Sequence, residues 1–368
     1  MFLFKEKRIA AWHSKLNVEQ RQNEGLIGVT FVSTNQHTAN LYLFNPNVKQ
    51  IELENENDTE IIYVILPYFN FVKSNRRRQL LLEFVERYKR LDNIRLVLAE
   101  AVVLGQLFDL PNKIDGIYAH HRFTLKHQIW CKENLINVVA KNKLPSDWKY
   151  LAWIDPDLTF QNKNWPQEAI YKLRNENTHF IQLFETVMEM NSFHTFSFNN
   201  ASSFGFKHQQ SPQEWYWEKF DRHVGLAWAC KREAFDAMNG LFELGIIGSG
   251  DYYMALSMAN KVDAYFEKMI KASYKNVNKE FYFKIKEFEL KWISNRFKFS
   301  YINGNVEHHW HGDLRDRQYN TRRWILSKHR YNPMKDLIRD DQGLMELSKV
   351  GERIHQDLKK YFLSRNEV

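Results

Sequence analysis

The run Ile61-Ile62-Tyr63-Val64-Ile65-Leu66 is almost wholly apolar and stops at Pro67. A strand with no polar alternation is one buried on both faces, as in a parallel sheet covered by helices. The period then changes. Ser74 is placed to cap a helix whose apolar stripe is Leu81, Phe84, Val85 and Tyr88, the spacing of one helical face. A second buried strand is expected at 94–97, a helix through Trp130, Leu135, Val138 and Val139, and a third strand at 150–154. Such alternation with short connections predicts an α/β fold, a Rossmann-like, mostly parallel sheet flanked by helices. Ligands of these sheets bind beyond the carboxyl ends of the strands. Chemistry is therefore expected just after Leu66, Val97 and Ile154.

This alternation sets the expected domain, residues 59–330. Before it, residues 1–58 read as an N-terminal extension in which Val29-Thr30-Phe31-Val32 and Leu41-Tyr42-Leu43-Phe44 can pair as a hairpin. After it, residues 331–368 read as a C-terminal helical segment. An aromatic content of 15% excludes a disordered chain. Two cysteines, Cys131 and Cys230, exclude a disulfide scaffold and a Cys-based zinc cluster, and fit a reducing compartment. No apolar run is long enough to span a bilayer. The opening MFLFKEKRIAAWHSK lacks the signal-peptide pattern. The expected location is the cytoplasm, with peripheral membrane contact compatible. The formal charge of +8 permits an anionic partner, whether nucleic acid, acidic membrane face or phosphorylated substrate, without choosing among them.

After the third strand come Asp155-Pro156-Asp157 and then Leu158-Thr159-Phe160. Carboxylates flanked by packed apolar segments are seldom buried unless paired or bound to a cation. Two of them at a strand end can hold one hard divalent ion; an ordinary acidic turn has the same letters. The second constellation is Glu307-His308-His309-Trp310-His311-Gly312, followed by Arg315, Arg317 and Tyr319. Neutral imidazoles are common metal ligands and guanidinium forks suit phosphate oxygens. A His-rich surface strand would read alike. The third is Gly245-Ile246-Ile247-Gly248-Ser249-Gly250-Asp251, which delivers a carboxylate at the start of an apolar helical pattern. Asp251 is then either a helix cap or a positioned base. Trp215 and Trp217 offer aromatic faces to a sugar or pack in the core.

Taken in this order, the pieces resemble glycosyltransferases of the GT-A fold over roughly residues 60–330. The likeness is to family 2-type enzymes and to the galactosyltransferase and polypeptide N-acetylgalactosaminyltransferase groups. VILPYFN at 64–70 resembles the family's opening strand and loop, which implies Pro67, Tyr68 and Asn70 beside the nucleotide. KENLINVVAK at 132–141 resembles the helix before the metal motif, implying Lys132 and Asn137 near the donor. WIDPDLTF at 153–160 matches the D-x-D element, implying Asp155 and Asp157 for the ion and the donor diphosphate. The segment 225–256 resembles the one ending in the acceptor-side acidic motif, with Trp228 on the acceptor side and Asp251 as base. Many relatives carry a Glu-Asp pair where this chain has Asp251 alone. HHWHG at 308–312 resembles the element that supplies a His to the metal, His308 or His311. Glu100 is the nearest candidate for the carboxylate that reads the nucleotide base.

The resemblance implies a metal-dependent transferase that uses Mn2+ or Mg2+ and a nucleotide sugar, a UDP-sugar first among donors. The metal would act as a Lewis acid, and Arg315, Arg317 and Tyr319 would meet the charge developing on the departing phosphates. The acceptor would be a hydroxyl of a glycan or of a surface-polymer precursor. A hydroxylated base in DNA is the alternative acceptor. Readings from other classes are a metal-dependent phosphohydrolase and a non-catalytic binding protein for sugar nucleotides or nucleic acid.

Overall fold

The computed structural model describes residues 17–21, 26–32, 38–44, 60–193, 195–212, 222–271, 278–313, 315–319 and 321–367, with backbone alone at 17–44, 196–200 and 270–271. The chain forms two compact units, Met1–Asp58 and Thr59–Val368. In the first, β1 (Asn17–Arg21), β2 (Leu26–Val32) and β3 (Thr38–Phe44) make an antiparallel sheet in that order. The hairpin read from the sequence is β2 with β3, Val29 opposite Leu41 and Phe31 opposite Ala39.

The second unit carries β4 (Ile62–Phe69), β5 (Ile94–Val103), β6 (Ile117–Leu125), β7 (Tyr150–Ile154), β8 (Leu158–Phe160), β9 (Phe180–Gln182) and β10 (Thr186–Met190). Further along come β11 (Phe196–Ser203), β12 (Arg222–His223), β13 (Ala227–Lys231), β14 (Phe299–Tyr301) and β15 (Asn305–His308). The central sheet has the order β14-β9-β13-β7-β4-β5-β6. Only β13 runs antiparallel to its neighbours; the other pairs are parallel. The expected class, a mostly parallel sheet between helices, is what the chain adopts.

Burial on both faces explains the apolar run that starts β4. Ile65 points into one core with Val97, Leu135, Val139 and Trp153. Val64 and Leu66 point into the other with Leu81, Phe84, Leu98 and Ile154. Each such side chain contributes about 1.5–3 kcal/mol by leaving water. The helix Asn75–Tyr88 begins as its sequence requires, with the Ser74 hydroxyl accepting the N–H of Arg77. β4 continues past Pro67, where the sequence pattern ended it. β7 accompanies β4 only as far as Ile65, and β5 alone continues beside it, so the missing N–H does not interrupt a two-sided ladder.

A second sheet of order β12-β11-β10-β15-β8 was not visible in the apolar pattern. Its strands are short, and in Asn305–His308 the alternate buried positions are Val306 and the polar His308, which hides the period. It nonetheless positions the site. The segment 331–368 is not purely helical. Helices Pro333–Asp336 and His355–Ser364 flank a hairpin of β16 (Leu337–Arg339) and β17 (Met345–Leu347). The side chain of Asn134 pins that hairpin through Gly343 and Met345, and Leu344, Leu358 and Phe362 join the core. Among the described residues no helix is long and apolar enough to cross a membrane.

Candidate active site

The ladder between β8 and β15 builds the centre. β7 ends at Ile154, Asp155-Pro156-Asp157 follow, and β8 starts at Leu158. β15 lies antiparallel to β8 with His308 opposite Leu158, and the His309 N–H donates to the Asp157 carbonyl at 2.8 Å. Two motifs distant in sequence thus meet by backbone pairing. Asp157 Oδ2 lies 2.9 Å from His311 Nε2 and 3.5 Å from His308 Nε2. One ligand atom from each of Asp157, His308 and His311 falls within 4.8 Å of the others. Both imidazoles are 4% exposed. His309 does not join them; its Nε2 meets the Thr159 hydroxyl at 2.7 Å.

Asp157 Oδ1 and His311 Nδ1 are buried without a hydrogen-bond partner. A buried polar atom left this way costs about 1–3 kcal/mol, and more for a charged group. A carboxylate and two imidazoles converging around an orphaned oxygen fit a divalent cation. Burial disfavours charge on Asp157, yet His308 and His311 hold it well below the carboxylate range. Burial likewise opposes charge on His308, but Glu189 and Asp157 outweigh it and raise His308 well above the usual imidazole range. His311 is pushed down to about 4 by burial and by the Arg317 guanidinium.

Asp155 is built differently from its neighbour. Its Oδ1 meets Lys132 Nζ at 2.5 Å, so it forms an ion pair instead of entering the Asp157 cluster. Burial works against the Lys132 charge, but Asp155, Asp251 and Glu133 hold the ammonium well above the ordinary lysine range. Glu133 is pushed up to about 8, by burial and by Asp251, with Lys132 opposing. Asp251 stands in the first turn of the helix Gly250–Met258, whose N-cap is Ser249; Asp251 is therefore not the cap. Its Oδ1 accepts the N–H of Tyr252 at 2.8 Å. A Cβ on Gly225 would collide with Asp251 Oδ2, and one on Gly250 would collide with the Glu133 carboxyl group. Two glycines thus make room for two carboxyl groups.

At the same His311 nitrogen that faces Asp157 begins a set of guanidiniums, Arg317, Arg322 and Arg365 buried and Arg77 half-buried. Arg317 donates to His311 Nε2 at 2.8 Å and to the Tyr319 hydroxyl at 3.3 Å. Arg322 donates to Ser249 Oγ and to the Tyr361 hydroxyl. Arg365 and Arg77 both pair with Glu367. Among the described residues no carboxylate pairs with Arg317 or Arg322, and the Nε of each is buried without a partner. The surplus of positive charge suits an anion such as a diphosphate. Arg315 is not part of this set. Its side chain is 91% exposed and lies 3.5 Å from Asp313, because it sits two residues from Arg317 and faces solvent.

Other residues expected at the donor serve the fold. Glu100 is fully buried, and its carboxylate accepts from the Asp109 and Leu110 N–H groups and pairs with His120 and Arg122. No acceptor capacity is left for a nucleotide base. Tyr68 donates to Asp109 at 2.5 Å, and Asn70 donates to Asp109 and accepts the Ser74 N–H. This network closes the end of β4, where Pro67 lies within the strand. Asn137 bonds both backbone groups of Leu241 and the Glu243 carboxylate, which fixes a turn. Trp228 is buried in β13, donates to the Val224 carbonyl and packs by Phe204 and Phe299; it is core. Trp215 and Trp217 lie outside the described residues.

The structure also brings in residues that the sequence pattern does not single out. Glu189, on β10, accepts from His308 Nδ1 at 2.7 Å and is lowered to about 2, with burial opposing and His308 prevailing. Glu133, Arg322, Arg365 and Glu367 are the others, whereas Arg77, one of the three arginines 76–78 whose place at a helix start already suggests a phosphate contact or solvent exposure, pairs with Glu367. The one available signal was Glu133 beside Lys132 at the start of a helix whose apolar face is Leu135, Val138 and Val139.

No protein-family model matches the chain, and no curated protein matches it. Among solved structures it is similar to a mutant of the Drosophila beta-1,4-galactosyltransferase 7 in complex with manganese, UDP-Gal and xylobiose. That likeness has 13% identity, covers 79% of this chain and 97% of the other, and has a TM-score of 0.37. A glycosyltransferase involved in the glycosylation of the major capsid of PBCV-1 is similar at 12% identity over 73% of this chain and 98% of that one, TM-score 0.28. Mannosyl-3-phosphoglycerate synthase from Rubrobacter xylanophilus is similar at 10% identity over 78% and 84%, TM-score 0.34. These likenesses are distant, and the chemistry of the chain rests on its own site residues.

Proposed function

We propose that the chain is a GT-A-type glycosyltransferase that moves a sugar from a nucleotide-sugar donor to an acceptor hydroxyl. The observation that carries this reading is the buried Asp157, His308 and His311 cluster, with Asp157 Oδ1 unpartnered and Arg317 adjoining. Those three side chains would hold a divalent cation, Mn2+ or Mg2+. When bound, such an ion supplies Lewis-acid stabilisation of a diphosphate leaving group.

The chain's own groups do the rest. Arg317, and Arg322 behind it, present fixed positive charge where the leaving oxygen gains electrons. Lys132 pairs with Asp155 and orients it, its charge opposing the burial that pushes the Asp155 carboxyl up. We assign to Asp251 the role of taking the acceptor proton. In the transfer, the bond from the anomeric carbon to the diphosphate oxygen breaks and its electron pair leaves with the nucleoside diphosphate. The acceptor oxygen bonds to the anomeric carbon, and its proton passes to an Asp251 carboxylate oxygen. We read the acceptor as a glycan or surface-polymer hydroxyl.

A thermal-shift series of UDP-sugars with and without manganese tests the reading, since a ligand that binds the folded state raises the melting temperature. A shift that needs both metal and nucleotide sugar, followed by diphosphate release on adding saccharide acceptors, supports it. Donor hydrolysis that no acceptor stimulates would indicate a phosphohydrolase. No shift with any sugar nucleotide would overturn the proposal.

A further inference from the structure

We infer that Glu189 is a positioning residue for metal binding: its carboxylate fixes the tautomer and angle at which His308 presents Nε2 beside Asp157. The inference rests on the metal site proposed above. An imidazole binds a metal through an unprotonated nitrogen, so the proton must be on the other one. A carboxylate on that other nitrogen locks this state, orients the ring and raises its basicity. His308 has this arrangement. Nδ1 lies 2.7 Å from Glu189 Oε2, and Nε2 lies 3.5 Å from Asp157 Oδ2.

The backbone shows how the contact is built. β10 runs parallel to β15, and its register places Glu189 directly beside His308. On the other edge of β10, the pairing with β11 slips between Met188 and Met190, so that an irregularity falls at Glu189 itself. The extra residues are those of β11, 197–199 opposite Glu189 alone, so β10 keeps its regular register beside β15; such bulges are over-represented next to active sites. The Glu189 side chain is 18% exposed and that of His308 5%, so water competes little for the bond. The His223 ring, 6.4 Å from the His308 ring, closes the same side. Nothing in the sequence TVMEM marks this glutamate; the parallel register does.

The test is a manganese titration followed by electron paramagnetic resonance on the full chain, which reads metal affinity without turnover. Glu189→Ala should weaken Mn2+ binding by about 10–100-fold, the usual effect of losing a residue that holds a metal-ligating histidine. Glu189→Gln keeps an acceptor oxygen in the same place and should fall between the two. In a His308→Ala background, Glu189→Ala should have no further effect, because Glu189 acts through that ring. Additive losses in this double variant would assign Glu189 a merely structural role and overturn the inference. So would wild-type affinity in both single variants. If the wild-type chain itself binds no manganese, the metal site fails first and this inference with it.

Discussion

At the carboxyl ends of β4 and β5, Glu100, Asp109, Tyr68 and Asn70 satisfy one another completely. At the ends of β7 and β15, Asp157, His311 and Arg317 do not. The first cluster places a fully buried carboxylate against two backbone N–H groups, an imidazole and a guanidinium. The second leaves a carboxylate oxygen, a ring nitrogen and a guanidinium N–H buried and unpaired. Both clusters are polar, buried and at strand ends. Only the second has capacity to spare for a ligand. Buried polar groups in native proteins are overwhelmingly paired, so an unpaired cluster marks a place where something else completes the bonding.

The comparison breaks most sharply at Asp251. Asp251→Asn should keep a near-normal melting temperature and donor affinity while transfer falls by about 10²–10⁴-fold, the range of a general base. Wild-type transfer in that variant would remove Asp251 from the chemistry. In the satisfied cluster the reverse is expected. Glu100→Ala should cost about 3–5 kcal/mol in denaturant unfolding, because it leaves buried partners uncompensated, yet leave manganese affinity unchanged. A weaker metal affinity there, with unchanged stability, would exchange the roles of the two clusters.

A pH-dependent effect is expected from Glu133, whose carboxyl is held protonated up to about 8. The folded state binds this proton more tightly than the unfolded chain does. Its contribution to stability is therefore largest below the ordinary carboxylate range, declines as pH rises toward 8, and is level above that. The decline is about 1.4 kcal/mol per pH unit. Glu133→Gln mimics the protonated form and should be more stable than the parent at pH 8 but not at pH 4. Equal melting temperatures at every pH would show that Glu133 ionises normally.

Much of the central sheet was legible because its strands, buried on both faces, leave unbroken apolar runs; β7 is read to the residue, while β4 is read at its start and runs on to Phe69 past the Pro67 expected to end it. The strands of the second sheet were not, since in a stretch as short as Asn305–His308 one of the two buried positions is the polar His308. Asp157, His308 and His311 were legible because carboxylate and imidazole seldom lie beside packed segments without a reason. Arg315 and Arg317 are indistinguishable in sequence, and only the fold turns one outward and the other inward. Glu100 and Asn137 show the complementary difficulty. A buried polar residue reads alike whether its bonds are spent on the chain or reserved for a ligand, and that depends on partners distant in sequence, such as Leu241 for Asn137.

Asp157 anchors the proposed cation site, and calorimetric titration of manganese into the wild-type chain and into Asp157→Ala tests this most directly. Saturable binding of roughly one ion at the Asp157 cluster is expected for the wild type; the other carboxylate–imidazole group among the described residues, His127, Glu352 and His355, is the same in both proteins. The variant should lose that binding and retain its melting temperature. Equal manganese binding by the two proteins would contradict the assignment.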